Sequence, residues 1–402
     1  MKRLIGGWGL DRLGLIVVGV MVVGVMVSST WGEQGEIERK LETYLQVLDI
    51  VKSDYVDKKV DDQKLVYGSI RGLLDALDDP YTRFMEPKSY KEMKVRMSGS
   101  YSGIGIYIGI KEKQLTAISP IEGTPAKKMG LKAGDAILKI DDKPTKDMAL
   151  EEAVSLIRGP QGSKVKLSIL RKSWKEPKDF QISREKIIIK SLAVKTLDHN
   201  IGYIKLNTFE NLSAAQEFEK ALRRFKDSAG LIIDVRGNGG GLLQNALDIG
   251  SMFIRQGTIV QTVDREGKRE QLDSTGRVLW NKPVVMLINE SSASASEILA
   301  GALRDNKIAT LVGTHSFGKA SVQNVRQLGD GSAVLLTIAK YLTPNGEDIS
   351  KRGISPEVEV QIPTKEASVE QELEMPEEET DIQLHKAVEI IKSKIEQEGN
   401  GG

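Results

Sequence analysis

Apolar residues recur with different periods along the chain, and each change of period marks a boundary. Leu13 to Val27 is an almost unbroken apolar run, preceded by Lys2, Arg3 and Arg12 and followed by Ser28, Ser29 and Thr30. Its length and one-sided basic flank predict a signal peptide or signal anchor over 1–32, which exports the chain to a periplasmic or other extracytoplasmic space. If retained, this segment, at 13–32, is also the chain's only tie to a membrane. Ile37, Leu41, Leu45, Leu48 and Val51 then recur at helical spacing. Leu65, Leu73, Leu74 and Leu77 form a second amphipathic pattern that Asp78-Asp79-Pro80 stops, so a helical region covers 33–97.

From Gly99 the texture changes to short β-like runs rich in glycine, and a small β-rich module is expected over 98–172. It contains a short helix with Thr124 as cap and Pro125 at its first turn, and an apolar strand from Ala136 to Ile140. A helix from Asp147 to Arg158 and an alternating strand through Val165, Leu167 and Ile169 complete it. Beyond a charged, proline-containing link near 172–186, residues 173–363 alternate strands and helices. Ile201–Leu206, Gly230–Val235 and Val284–Ile288 read as strands. Ser213–Phe225 reads as a helix that turns Ala215, Phe218, Ala221, Leu222 and Phe225 inward. The fold class is α/β. Residues 364–402 differ in kind: seven Glu and one Lys between Thr364 and Glu379 read as a solvated tether. Leu384, Ala387, Val388, Ile391 and Ile395 read as a final amphipathic helix, which with the N-terminal helices is a candidate homodimer surface.

Composition narrows the chemistry. The 402 residues carry 57 Lys plus Arg against 56 Asp plus Glu, so no basic field exists to hold nucleic acid. With no cysteine there is no thiol nucleophile, thiolate zinc site or iron–sulfur cluster. His199, His315 and His385 are the only histidines, too few and too scattered for an obvious metal site, and no metal or cofactor is expected.

The sharpest local signal is Asn289-Glu290-Ser291-Ser292-Ala293-Ser294-Ala295-Ser296-Glu297, a hydroxyl-rich turn between a buried strand and a helix N-terminus. There an Oγ can be displayed beside free backbone N–H groups. A nucleophilic hydroxyl needs a base, and with histidine scarce the candidate is Lys319, with His315 as the alternative. If Lys319 opens a helical turn, Gln323 shares its face and can orient the amine; on a strand the two could not touch. Gly313 to Lys319 also spells a phosphate-loop pattern, but Ala320 stands where a magnesium-binding hydroxyl is required.

The glycine-flanked Ser102-Gly103-Ile104-Gly105 and the stretch GTPAKKMGLKAGD from Gly123 to Asp135 resemble a PDZ domain. In such a domain, backbone N–H groups around Ser102, Gly103, Ile104 and Gly105 capture a peptide's C-terminal carboxylate. The Asp79-Pro80-Tyr81-Thr82 turn, R-x-N-x-G-G at Arg236 to Gly241, S-A-S-A-S-E, and F-G-K-x-x-x-Q at Phe317 to Gln323 resemble, in order, the carboxyl-terminal processing (tail-specific) proteases. That resemblance implies a crotonase-like α/β core with an inserted PDZ domain. It makes Ser294 the nucleophile, Lys319 the base and Gln323 the residue that orients the base. Asp305 matches an aspartate implicated in some members. Backbone N–H groups of Ala295 and Gly240 would form the oxyanion hole, and burial near Phe317 would lower the lysine pKa. Partners would be proteins or peptides with free C-termini, and any adaptor protein is not named by the sequence. The alternative is a catalytically inactive PDZ scaffold of the cell envelope, which would have no reason to keep Ser294, Lys319 and Gln323 together.

Overall fold

The computed structural model describes residues 35–111, 113–362 and 381–399; the expected signal segment and the acidic tether lie outside them. Two units divide at Ile70, inside the second helix. In the first, α1 (residues 35–54) and the start of α2 (Asp62–Asp75) are joined by Tyr44 Oη donating to Ser69 Oγ at 2.9 Å and by a Lys52–Asp62 pair at 3.0 Å. Ile37, Leu41, Leu45 and Ile50 on α1 are each more than half exposed. Among the described residues no helix is long and apolar enough to cross a membrane.

The second unit opens with β1 (Arg83–Met85) and α3 (Pro87–Met97), whose N1 proline supplies a helical φ where no N–H is needed. The glycine-rich module follows: β2 (Ser100–Gly103), β3 (Ile106–Lys111), β4 (Gln114–Pro120), α4 (Pro125–Lys128), β5 (Ala136–Ile140), β6 (Lys143–Pro144), α5 (Leu150–Ile157), β7 (Lys164–Leu170), β8 (Lys178–Ser183) and β9 (Glu185–Ile188). Its sheet runs β3-β4-β5-β7-β8, with β6 on β5, and closes over Ile104, Leu115, Ile137, Val165, Leu167 and Ile169. The strand β3 is an edge.

Two sequence expectations change here. The link expected near 172–186 is largely strand: Ile182 of β8 is fully buried and Phe180 packs on the module core. The module therefore extends past 172 to the β2–β9 ribbon that joins it to the rest. The helix expected from Asp147 starts at Leu150, because Asp147 sits at φ 59, a left-handed conformation that no α-helix accommodates.

The α/β core comprises β10 (Leu192–Leu197), β11 (Ile201–Leu206), α6 (Ala214–Arg224), β12 (Gly230–Asp234), α7 (Leu243–Ser251), β13 (Thr258–Asp264), β14 (Arg269–Asp273), β15 (Val284–Ile288), α8 (Ala295–Asp305), β16 (Ala309–Gly313), β17 (Ser321–Gln327), β18 (Ala333–Leu342), β19 (Val358–Glu359) and α9 (Ile382–Gly399). Its main sheet, β10-β11-β12-β15-β16-β19, is parallel except for β10. Strands β12 and β15 are buried along their whole length, as expected of parallel strands covered on both faces. One face carries α6, α7 and α8, with all five inward residues expected on α6 buried alongside Phe253, Ile298 and Leu303. A second sheet runs β1-β18-β13-β14 with β17 on β18.

The other face of the main sheet is covered by α9: Leu384, Ala387 and Ile391 pack on Ile201, Tyr203, Ile232, Val285, Leu287 and Val312. The apolar stripe read as a dimer surface is thus spent largely within the chain. Truncating Ile391 to Ala, at a fully buried position, should cost about 2–5 kcal/mol. Urea unfolding followed by tryptophan fluorescence should show a lower midpoint at unchanged slope.

Candidate active site

The parallel strands deliver their following loops to one end. The strand β12 leads into Arg236–Gly241, β15 into the serine turn, and β16 into the loop carrying Lys319. These loops meet around a cavity of about 530 Å³ lined by Ser294, Ala295, Gly240, Lys319, Gln323 and Ile298, with Met93 and Met97 of α3 forming another wall. A larger cavity of about 780 Å³ lies where β15 and β16 begin, at the opposite end of the strands, and has no Ser, Thr or His in its wall.

Ser294 stands at φ 57, ψ −118 immediately before α8, a conformation costly for a residue with a Cβ, on the order of 1–3 kcal/mol. Such a turn holds the hydroxyl out at the head of the helix. Gly240 lies against it: a Cβ there would sit 2.5 Å from Ala293 O and 2.8 Å from both Ala295 N and Ser294 Cβ, so only glycine admits this approach.

What fixes the turn is Glu297, almost fully buried one turn into α8. Its Oε2 accepts from Ser294 N at 2.8 Å and Lys319 N at 3.0 Å. Its Oε1 accepts from Ser316 Oγ and Gly318 N, both at 2.6 Å. A single carboxylate thereby binds the backbone of Ser294 to the backbone of Lys319. The buried Tyr341 hydroxyl donates to Lys319 O and lies 3.2 Å from Glu297 Oε2. Burial, then the Glu297 charge, push that phenol well above its ordinary pKa and keep it protonated.

Lys319 is half-buried, and its ammonium pKa is lowered, first by burial and then by the Arg83 cation, against opposing pulls from Asp79 and Glu297. Phe317 is not the cause: it is 53% exposed. The ring beside Lys319 Nζ is that of Tyr81, 4.8 Å away, in the Asp-Pro-Tyr-Thr turn. That turn is held by Asp79, which accepts from Thr82 Oγ1 at 2.7 Å.

Four residues named from the sequence make other contacts or lie elsewhere. Gln323 lines the cavity but lies on β17 beside a bulge, not on a helical turn, and its amide donates to Ser321 Oγ at 2.7 Å rather than meeting Lys319. Gly240 N donates to Asn238 Oδ1 at 2.9 Å, so this oxyanion donor is engaged. Asp305 closes the far end of α8, paired with Arg304 at 2.8 Å and accepting from Asn345 N, away from the cavity. His315 is exposed, with Nδ1 3.4 Å from Ser355 Oγ, and is no part of the wall. The Gly313–Lys319 loop leads into a strand, not the helix that a phosphate loop needs.

In the PDZ-like module, Thr124 Oγ1 reaches Gly105 O and Ile121 O instead of capping α4. Gly105 at φ 73 would drive a Cβ to 2.4 Å from Thr124, so it too must be glycine. The Oγ of Ser102 is buried and has no hydrogen-bond partner among the described residues. Among them, too, no cluster of His, Asp or Glu suits a metal.

Comparison with known proteins agrees with this layout. Residues 200–360 match peptidase family S41, 117–171 match a PDZ domain, and 25–89 match the N-terminal domain of the activating protease CtpB. The carboxyl-terminal-processing protease of Synechocystis sp. is 38% identical over 322 residues, covering 78% of this chain and 75% of that protein. The carboxy-terminal processing protease CtpA of Bacillus subtilis is 39% identical over 316 residues, covering 78% and 67%. The solved photosystem II D1 C-terminal processing protease is 31% identical, covering 79% of this chain and 86% of that one, with a TM-score of 0.48.

The sequence alone gives Glu297 no such role, although its letter closes the S-A-S-A-S-E run. Replacing it with Gln should leave at least one buried donor unpaired and lower turnover by about a hundredfold or more. Steady-state cleavage of an unfolded protein, set beside the thermal midpoint, should show an activity loss far exceeding any loss of folded enzyme.

Proposed function

Because the chain belongs to the carboxyl-terminal processing proteases of peptidase family S41, a serine-type peptidase family, we propose that Ser294 and Lys319 form its nucleophile–base pair. The observation that carries this reading is the shared cavity: the strained Ser294 and the pKa-lowered Lys319 both line it and are tied together through Glu297. Ser294 Oγ attacks the peptide carbonyl carbon while neutral Lys319 takes the hydroxyl proton. The oxyanion is held by Ala295 N–H and by Gly240 N–H once Asn238 Oδ1 releases it. Collapse expels the amine, which receives the proton from Lys319, and water then hydrolyses the ester by the reverse path.

Catalysis by this route requires three movements. Lys319 Nζ leaves the Tyr81 ring for Ser294, Gln323 leaves Ser321 to orient it, and Gly240 N–H turns to the substrate. All three start from groups already lining or touching the cavity.

Substrate tails enter through the PDZ module. The strand β3 is a free sheet edge to which an extended peptide can add, Tyr107 and Ile110 are exposed along it, and the Ser102–Gly105 turn stands at its head. The unpartnered Ser102 Oγ is a donor that a terminal carboxylate would satisfy. The N-terminal segment at 13–32 exports the chain and, if uncleaved, anchors it. The exposed stripe of α1 suits a second copy of the chain.

Ser294→Ala and Lys319→Ala should each remove nearly all cleavage, and the double variant little more, because the pair acts as a unit. His315→Ala should retain most activity. The rate should rise with pH as Lys319 loses its proton, since the neutral amine is the base. Removing the Arg83 cation (Arg83→Gln) should raise the lysine pKa and move that rise to higher pH. Removing the Asp79 anion (Asp79→Asn) should move it to lower pH, each by up to about one unit. Shifts of the opposite sign would exclude Lys319 as the base. Finally, amidating a substrate's C-terminus should lower kcat/KM roughly 5- to 150-fold, because an amide brings a donor to a site built of donors.

A further inference from the structure

The glycine loop beside Ser294 begins with Arg236, whose guanidinium lies between two carboxylates. On one side is Asp234, the fully buried end of β12, with Nε–Oδ1 at 3.0 Å and Nη2–Oδ2 at 2.7 Å. On the other is Asp381, 145 residues away at the head of α9, in a second two-pronged pair of 2.8 and 2.7 Å. Gln383 Oε1 accepts from the same guanidinium at 3.1 Å, and Tyr203 Oη donates to Asp234 at 2.7 Å. Burial alone would raise the Asp381 pKa, but the Arg236 cation holds it below the usual carboxylate range.

Inward from Arg236 the loop is tied directly to the nucleophile's turn. Gly237 N donates to Asn289 Oδ1 at 3.0 Å, Ala293 N donates to Asn238 O at 3.1 Å, and Gly240 abuts Ser294. Arg236 thus couples the oxyanion loop to the C-terminal helix.

We propose that Asp381 is a positioning residue which, through Arg236, sets the oxyanion loop against Ser294, so that the docked α9 is a working part of the peptidase rather than only a cover for its sheet. The proposal rests on the Ser294 reading above. A two-pronged carboxylate–guanidinium pair fixes the plane of the guanidinium as well as its place, and a loop displaced by an ångström loses orders of magnitude in rate.

The test is Asp381→Asn in the full chain, assayed on an unstructured peptide with a free apolar C-terminus. Asp381 Oδ1 also accepts from Leu384 N at 2.9 Å as the cap of α9, and asparagine caps as well as aspartate, so the substitution removes the charge and one prong while keeping the cap. The expected result is a roughly ten- to hundredfold fall in kcat with KM within about twofold. Asp381→Glu should recover a large part of kcat.

Leu384→Ala serves as the control, since it loosens the buried side of α9 without touching Arg236; it should lower the thermal midpoint and leave the kcat of folded enzyme near wild type. Wild-type kcat in Asp381→Asn would overturn the proposal. So would an equal loss of kcat in Leu384→Ala at the same midpoint, which would make helix stability the sole cause. Should Asp381→Asn fail to fold, Asp381→Ser, which keeps a capping oxygen for Leu384 N and loses the carboxylate, takes its place beside Leu384→Ala: kcat reduced in the former and kept in the latter supports the clamp, and wild-type kcat in the former or an equal loss in both overturns it. Wild-type enzyme that cleaves nothing would instead refute the Ser294 reading and is read separately.

Discussion

The site depends above all on one buried carboxylate. Glu297 receives the backbone N–H of Ser294, two backbone N–H groups of the loop carrying Lys319 and a serine hydroxyl. A carboxylate so deeply buried is tolerable only when its lone pairs are satisfied by hydrogen-bond donors. Here the donors come from two loops that have no other reason to be at a fixed separation. The cost of burying Glu297 and the cost of the Ser294 backbone conformation are therefore met by the same bonds. Disturbing either loop exposes both costs at once.

Around that frame the arrangement is assembled but not wired for reaction. Backbones are fixed, while the groups that the proposed reaction assigns to moving protons or holding charge are engaged elsewhere: Lys319 over Tyr81, Gln323 on Ser321, Gly240 N–H on Asn238. Each alternative contact is a single weak interaction, worth on the order of 1 kcal/mol, so a bound peptide that offers better partners can replace all three. The frame lies in the α/β core, whereas α3 and the Tyr81 turn supply surfaces around it. Such a division lets substrate contacts alter the reacting groups without unfolding what holds them.

Much of this was legible in the sequence, for physical reasons. The α/β core declared itself because buried parallel strands and one-sided helices have different apolar periods, and Phe218 and Ile233 sit where those periods place them. Ser294 and Lys319 stand out as candidates because few residue types can serve as nucleophile and base in a chain without cysteine and with three histidines, and both line one cavity. The failures are equally specific. Gln323 can share a face with Lys319 only on a helical turn, whereas strand pairing with β18 decides its conformation. The strand β8 was hidden because its inward Phe180 and Ile182 are embedded in charged neighbours. Glu297 and Asp381 carried no local signal: a glutamate at the start of a helix and an aspartate before one look like ordinary caps, and only the tertiary fold shows what their oxygens meet.

The most direct test of this account is a crystal structure of Ser294→Ala with an uncleaved peptide bound. The account predicts that the Glu297 bonds to residue 294, Gly318 and Lys319 remain as they are, while Lys319 Nζ leaves the Tyr81 ring and points at the Cβ of residue 294. Lys319 still stacked on Tyr81 with peptide in place, or a rearranged Glu297, would contradict it.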